Sequence, residues 1–273
     1  LTNTKAMHND VYLADTHGHG TPHKVAELAG YARAMAWTAD GKSLGFLYVP
    51  GATRRAAATA AGKPQVGVIG AEDEQVQRVA SLAVASGTLH ELTPATLYAY
   101  EFDWSPNGQR ITYTAAQPPG DNNWWIAKLY VQDARSDAAP NVVVDPATDT
   151  GSLHGLQMAL PRWSPDGKRI AFIGGLMSDQ GATGGDIYSV PAHGGATSDL
   201  TTGITVTPQW FAWTGTNALL VSQNAKGKVQ LAAYTVNGDH AQAQTPNFTV
   251  PAMIGAGGAV LSVSLSADHT HVA

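Results

Sequence analysis

The 273 residues carry a net charge of −5, with 44% hydrophobic and 14% charged side chains and no cysteine. This balance, without a basic stripe, argues against nucleic acid as a partner, and the absent cysteines exclude a disulfide framework or a thiolate metal site. No apolar run reaches the roughly 18–20 residues of a membrane helix; the best candidate, 250–265, is shorter and broken by Pro251, Gly255, Gly257 and Gly258.

The N-terminal LTNTKAMHND has no initiator Met, no apolar leader and no cleavage signature. It reads as the start of a piece cut from a longer chain, and the compartment stays open between cytoplasm, periplasm and secretion. DVYLADTHGHGTPHKV follows, predicting two strands around a turn, with an outer hairpin near Val11 to Val25. Next comes MAWTADGKSLGF, which returns as FDWSPNGQRITY, PRWSPDGKRIAF, FAWTGTNALLVS and, more weakly, VSLSADHTHVA. A self-similar array is read before anything else, because it fixes the architecture. The copies are anchored on Trp37, Trp104, Trp163, Trp213 and Leu265, at intervals of 67, 59, 50 and 52 residues.

Seven positions past each anchor stands an apolar residue, namely Leu44, Ile111, Ile170, Leu220 and Val272. Nine past it stand Phe46, Tyr113 and Phe172, with Ser222 departing from the pattern. Ile111 and Tyr113 alternate with Thr112 and Thr114, the period of a strand. Between anchor and strand lies Ala-Asp-Gly, Pro-Asn-Gly or Pro-Asp-Gly, residues suited to a tight hairpin turn. After each hairpin a second block, VASLAVASGTLHEL or DIYSVPAHGGATSDL, predicts two more strands around a glycine turn. Four strands per copy define an all-β fold, a β-propeller of four-stranded antiparallel blades, incomplete at both ends. The expected blades are 1–30 (partial), 31–95, 96–147, 157–203, 204–250 and 255–273 (partial).

WSPDGKRIAF followed by DIYSVPAHGGATSDLT resembles the WD-like propeller repeat shared by TolB and the prolyl oligopeptidase family of serine peptidases. The resemblance covers nearly the whole chain. Uneven copies and the segment PPGDNNWWIAKLYV point to the acylaminoacyl-peptidase-like members of the second family. That resemblance implies a non-catalytic propeller covering a hydrolase active site and gating short peptides. A Ser-Asp-His triad would then lie in an α/β-hydrolase domain downstream of Ala273. The alternatives are a TolB-like scaffold for protein–protein contacts and, third, a metal-dependent propeller enzyme.

Strand alternation places the long insertions, 50–75, 117–125 and 174–185, between the second and third strands of their copies, on the face shared with the blade-to-blade links. Loops elaborated on a rigid scaffold are where binding resides. Trp124, Trp125 and His154 are therefore the candidate residues of a functional face. If Trp124 and Trp125 continue a strand, one points to the core and the other to a loop mouth. Catalytic, metal and cofactor-binding residues are expected to be none on this chain. Gly41–Gly45 matches G-x-S-x-G, but Ser43 leads from a turn into a strand, not from a strand into a helix. His17, His19 and His23 read as a solvated turn, His269 and His271 as part of a turn, and Glu72, Asp73 and Glu74 as a solvated acidic run. Asn247-Phe248-Thr249 matches a glycosylation sequon that three residues meet often by chance.

Overall fold

The computed structural model describes residues 7–15, 18, 20–53, 75–118, 123–177, 183–244, 248–251 and 266. The strands predicted from alternation in the first four copies are present, and they assemble as antiparallel sheets in sequence order; the fifth copy and the expected partial blade 255–273 lie outside the described residues apart from Ser266. The first sheet holds β1 (His8–Leu13), β2 (His23–Trp37), β3 (Ser43–Pro50), β4 (Arg78–Ala83) and β5 (Thr88–Glu91). The second holds β6 (Tyr98–Trp104), β7 (Arg110–Ala116), β8 (Lys128–Asp133) and β9 (Asn141–Val144). The third holds β10 (Gln157–Trp163), β11 (Arg169–Gly175), β12 (Asp186–Pro191) and β13 (Ser198–Asp199). The fourth holds β14 (Thr207–Gly215), β15 (Ala218–Ala225), β16 (Lys228–Asn237) and β17 (His240–Ala243), with β18 (Phe248–Pro251) pairing to β16. The chain divides into two compact units, 1–124 with 132–141 and 125–131 with 142–273.

The repeated dozen residues build one hairpin several times. In the third sheet the Ser164 hydroxyl donates to Asp166 Oδ1 at 2.7 Å and accepts the Arg169 amide at 3.0 Å, while Asp166 Oδ1 also accepts the Lys168 amide at 3.1 Å. Thr38 and Asp40 repeat this in the first sheet, at 2.7, 3.1 and 3.0 Å. Ser105 and Asn107 repeat it in the second, at 2.8, 2.9 and 3.1 Å. These hydroxyls are buried, so a side chain completes the backbone hydrogen bonding that a sharp turn would leave unmet. Gly167 sits at φ 69°, in the left-handed region that the turn requires of this position. The Ser164 hydroxyl first, then the Lys168 amide, hold the Asp166 carboxyl below its ordinary range. A carboxylate depressed on folding stabilises above its unfolded pKa, about 4, and that contribution is lost as pH falls through the lower folded value.

Trp37, Trp104 and Trp163 close β2, β6 and β10, as the spacing predicts, and pair with Leu44, Ile111 and Ile170. The fourth hairpin is shorter by one residue, so Trp213 pairs with Leu219, and the apolar core pair is Leu219 and Val221, while Leu220 is only half-buried. Ser222 therefore departs from no pattern. A second difference lies in β2, which is one unbroken strand from the first hairpin to Trp37. It pairs with β1 over its first half and with β3 over its second. A bulge precedes each anchor, and Ala34 and Leu160, both three residues before their Trp, take φ 55° and 54°. Bulges bend and twist a strand locally; neither residue type announces one.

Within the first unit the Trp104 indole N–H donates to the Ala36 carbonyl of β2 at 3.3 Å. Its ring rests on Gly45: a Cβ there would lie 2.6 Å from Trp104 Cζ2. Within the second unit the Trp213 indole N–H donates in the same way to Arg162, at 3.4 Å, with Ala171 in its cluster. Each of these rings reaches the residue just before the preceding anchor, and each is met by a small residue eight past that anchor. β11 serves two clusters in this unit. Ile170 and Phe172 pack with Leu129, Val131 and Trp163, while Ala171 and Ile173 pack with Phe211, Trp213 and Val221.

Candidate functional site

Antiparallel order sets where function can sit. Counting in each sheet from the strand that carries the anchor tryptophan (β2, β6, β10 and β14), the loop from second to third strand and the link leaving the fourth emerge at one end, and the two hairpin turns at the other. The loops between second and third strands are long in three sheets, at 51–77, 117–127 and 176–185. In the fourth the strands are joined by Lys226 and Gly227 alone, both at positive φ.

The structure places the candidates as follows. Trp124–Ile126 is a single 3-10 turn, not a strand. At about three residues per turn, neighbours are rotated by roughly a third of a circle rather than sent to opposite faces, and none of the three residues is buried. Trp124 is half-buried at the end of the first unit's main segment, and Trp125, at the start of the second, is 56% exposed. His154 is exposed in the 145–156 link of the second unit, its Nδ1 2.9 Å from the Asp149 carbonyl. Lys128, which opens β8 just beyond the Trp125 turn, pairs with Asp145 at 2.6 Å, where β9 gives way to that link. Trp125 and His154 thus lie at the same end of one sheet, on two neighbouring segments joined by an ion pair. Asp149 holds the link in shape: its carboxylate accepts the Gly151 amide at 2.7 Å and the Thr197 hydroxyl at 2.7 Å. Buried Leu153 anchors it from below.

Ser43 has a structural place. Its amide donates to Thr38 Oγ1, it pairs with Ala83 within the sheet, and the glycine that completes the G-x-S-x-G string is the seat of Trp104. His23 opens β2 and is exposed. His17, His19, Glu72, Asp73, Glu74, Asn247, His269 and His271 lie outside the described residues. Among the described residues no group of three or more His, Asp or Glu side chains is placed to hold a metal ion, and no helix is long and apolar enough to cross a membrane.

One polar arrangement escaped the sequence reading. Thr93 Oγ1 accepts the Val79 amide at 2.9 Å, and Thr201 Oγ1 accepts the Ile187 amide at 2.9 Å, in equivalent places. Around Thr93, Arg78 donates to Glu91 and to the Thr93 carbonyl. Around Thr201 the corresponding residues are both acids, Asp186 and Asp199, and the Thr201 hydroxyl donates to Asp186 at 3.0 Å. The recurring triplets Glu91-Leu92-Thr93 and Asp199-Leu200-Thr201 were the available signal. Burial first, then the Asp199 charge, push the Asp186 carboxyl above its ordinary range, against the Thr201 bond. A carboxyl raised on folding costs stability as pH rises through that value. Asp186→Asn is therefore expected to raise the melting temperature at neutral pH, with the difference closing below pH about 4, where the unfolded carboxyl is also protonated. Paired thermal melts across that range decide it, and an equal gain at every pH would refute the electrostatic cause.

No family model matches the sequence, and no curated protein does. Solved structures do match. TolB from Acinetobacter baumannii superposes with a TM-score of 0.54 at 18% identity, over 96% of this chain and 53% of its own. An oligogalacturonate lyase in complex with manganese gives 0.60 at 12%, over 88% and 59%. A prolyl endopeptidase gives 0.54 at 15%, over 90% and 33%. The chain thus spans little more than half of the first two and a third of the last. At these identities what is shared is the fold, and both groups that the repeat resembles are among its neighbours.

Proposed function

We propose that the chain is a β-propeller domain, the non-catalytic part of a serine peptidase of prolyl oligopeptidase type, which covers a hydrolase active site and gates the entry of short peptides. The observation that carries this reading is the uneven elaboration of the sheets. Three of four have extended loops at the end that also bears the links, with Trp125 and His154 presented there. A free-standing array of even repeats has no use for that asymmetry. Catalysis would belong to the attached domain, by an acyl-enzyme route with a serine nucleophile, a histidine base and backbone amides as the oxyanion hole. The TolB-like alternative, a scaffold for protein partners with no hydrolase, is favoured by one observation: the TolB match takes in 96% of this chain.

Two measurements test the proposal. The purified 273 residues are expected to leave peptidyl and acyl-aminoacyl chromogenic substrates intact, and Ser43→Ala in the full gene product to keep turnover near the parent value. A loss of several hundredfold in a folded Ser43→Ala protein would make Ser43 a nucleophile. Sequencing the intact gene should reveal a strand–G-x-S-x-G–helix segment after the propeller, followed by Asp and then His. A stop codon soon after the propeller would leave the TolB-like scaffold.

A further inference from the structure

Asn-Gly occurs twice in the sequence, at Asn107-Gly108 and at Asn237-Gly238. The pair is chemically labile: the backbone amide that follows an asparagine attacks the side-chain carbonyl carbon, and glycine, with no Cβ, leaves the approach open. The fold holds the two copies in opposite states. In the β6–β7 turn the Asn107 side-chain carbonyl accepts the Ser105 hydroxyl at 2.8 Å and the Gln109 amide at 3.1 Å. The Gly108 amide, which would be the nucleophile, donates to the Ser105 carbonyl at 2.8 Å. Cyclisation there has to break all three bonds. The β16–β17 turn differs. Asn237 is exposed, and Gly238 opens a two-residue turn at φ 60°. Among the described residues neither the Asn237 side chain nor the Gly238 amide has a hydrogen-bond partner.

We propose that Asn237 is a modification site, deamidating in the folded protein with His240 as the base. Asn237 and His240 are the last pair of the β16–β17 ladder, and residues directly opposite in an antiparallel pair carry their side chains on one face, with Cβ atoms about 5 Å apart. The preceding pair, Val236 and Ala241, is buried, so by alternation Asn237 and the exposed His240 rise together on the solvent side. The imidazole removes the Gly238 amide proton, that nitrogen bonds to Asn237 Cγ, and the Cγ–Nδ2 bond breaks. The proton passes to the leaving nitrogen, which departs as ammonia. Water then opens the cyclic imide at either carbonyl, leaving aspartate or isoaspartate, and nothing is oxidised or reduced. The isoaspartyl product carries an extra backbone carbon where the chain turns back into β17. That strand also holds its neighbour, since the Ala241 amide donates to the Leu200 carbonyl at 2.6 Å. Modification thus adds a negative charge to the fourth sheet and, in the isoaspartyl form, loosens its hold on the third. The inference depends on neither the peptidase nor the propeller reading.

Peptide mapping by mass spectrometry tests it in the gene product that contains these 273 residues, following both asparagines as the protein ages at neutral pH. Asn237 is expected to convert about tenfold or more faster than Asn107, which reacts only through local opening of its hairpin. In urea, with both turns unfolded, the two rates should converge. His240→Gln, an exposed change that leaves the melting temperature in place, should slow Asn237 on the order of tenfold, short of what a fixed, buried base supplies. The same variant should leave Asn107 untouched, and free imidazole should restore its Asn237 rate more than it speeds the parent. Equal rates in the folded protein, or a faster Asn107, would overturn the proposal. A ratio that persists in urea would overturn it too, by tracing the difference to sequence neighbours and not to the fold. An Asn237 rate indifferent to both His240→Gln and imidazole would overturn the role given to His240.

Discussion

Trp213→Ala is expected to destabilise the protein by about 3–5 kcal/mol, the range for removing a large aromatic side chain from a packed core. Three separate contacts go at once. The ring leaves the cluster it shares with Ala171, Ile173, Phe211 and Leu219. The Arg162 carbonyl loses its indole donor. Arg169, whose guanidinium carbon stands 5.6 Å from the ring centroid, loses the surface that orients it toward the Gly238 and Thr216 carbonyls, each at 3.3 Å. In a domain of this size a loss of that order lowers the melting temperature by roughly 10 °C. Trp213→Phe should retain most of the apolar burial and forfeit the indole bond, so its melt should fall between parent and Trp213→Ala. A Trp213→Ala protein within about 1 kcal/mol of the parent, where ordinary surface changes lie, would show that the ring does not lock the third and fourth sheets together.

The second large effect concerns a single methyl group. Gly45→Ala is expected to cost about 1–3 kcal/mol, the usual penalty for overpacking a core. The new carbon would sit 2.6–2.8 Å from three atoms of the Trp104 indole, inside contact distance for any carbon pair. In the Trp104→Phe background, where the second ring of the indole is gone, the same change should cost far less. Residues in direct contact couple by about 0.5–3 kcal/mol in such a cycle, and denaturant melts of the four proteins measure it. Additive costs would mean that Gly45 is glycine for some reason other than Trp104.

These two sites show how far the amino-acid order speaks for the fold. The hairpin is legible because its chemistry is local: a hydroxyl, an Asp or Asn two residues on and a glycine suffice to close it, and they stand together in the chain. The fourth hairpin is misaligned by one residue for the same reason, since Trp213-Thr-Gly lacks that hydroxyl–carboxylate pair and offers no marker for where the turn shortens. Gly45 reads as half of a nucleophile string until Trp104, distant in the chain, is seen lying on it. The bulges at Ala34 and Leu160 leave no trace at all, because alanine and leucine favour ordinary strand geometry. For the candidate face, antiparallel order placed Trp125 and His154 at one end of a sheet. The 3-10 turn was hidden because two adjacent tryptophans suit a strand as well as a turn. The acids Asp186 and Asp199 passed unnoticed because their meaning comes from Arg78 and Glu91 at the equivalent place.

The double allegiance of β11 divides its residues by parity. Ile170 and Phe172 answer to one neighbour, Ala171 and Ile173 to the other. A change at an even position must be accommodated by the sheet on that side, and a change at an odd position by the sheet opposite. Two interleaved lines of descent can therefore run along one strand, each drifting with its own partner. A chain built in this way can diverge until little identity remains while every layer still fits the next.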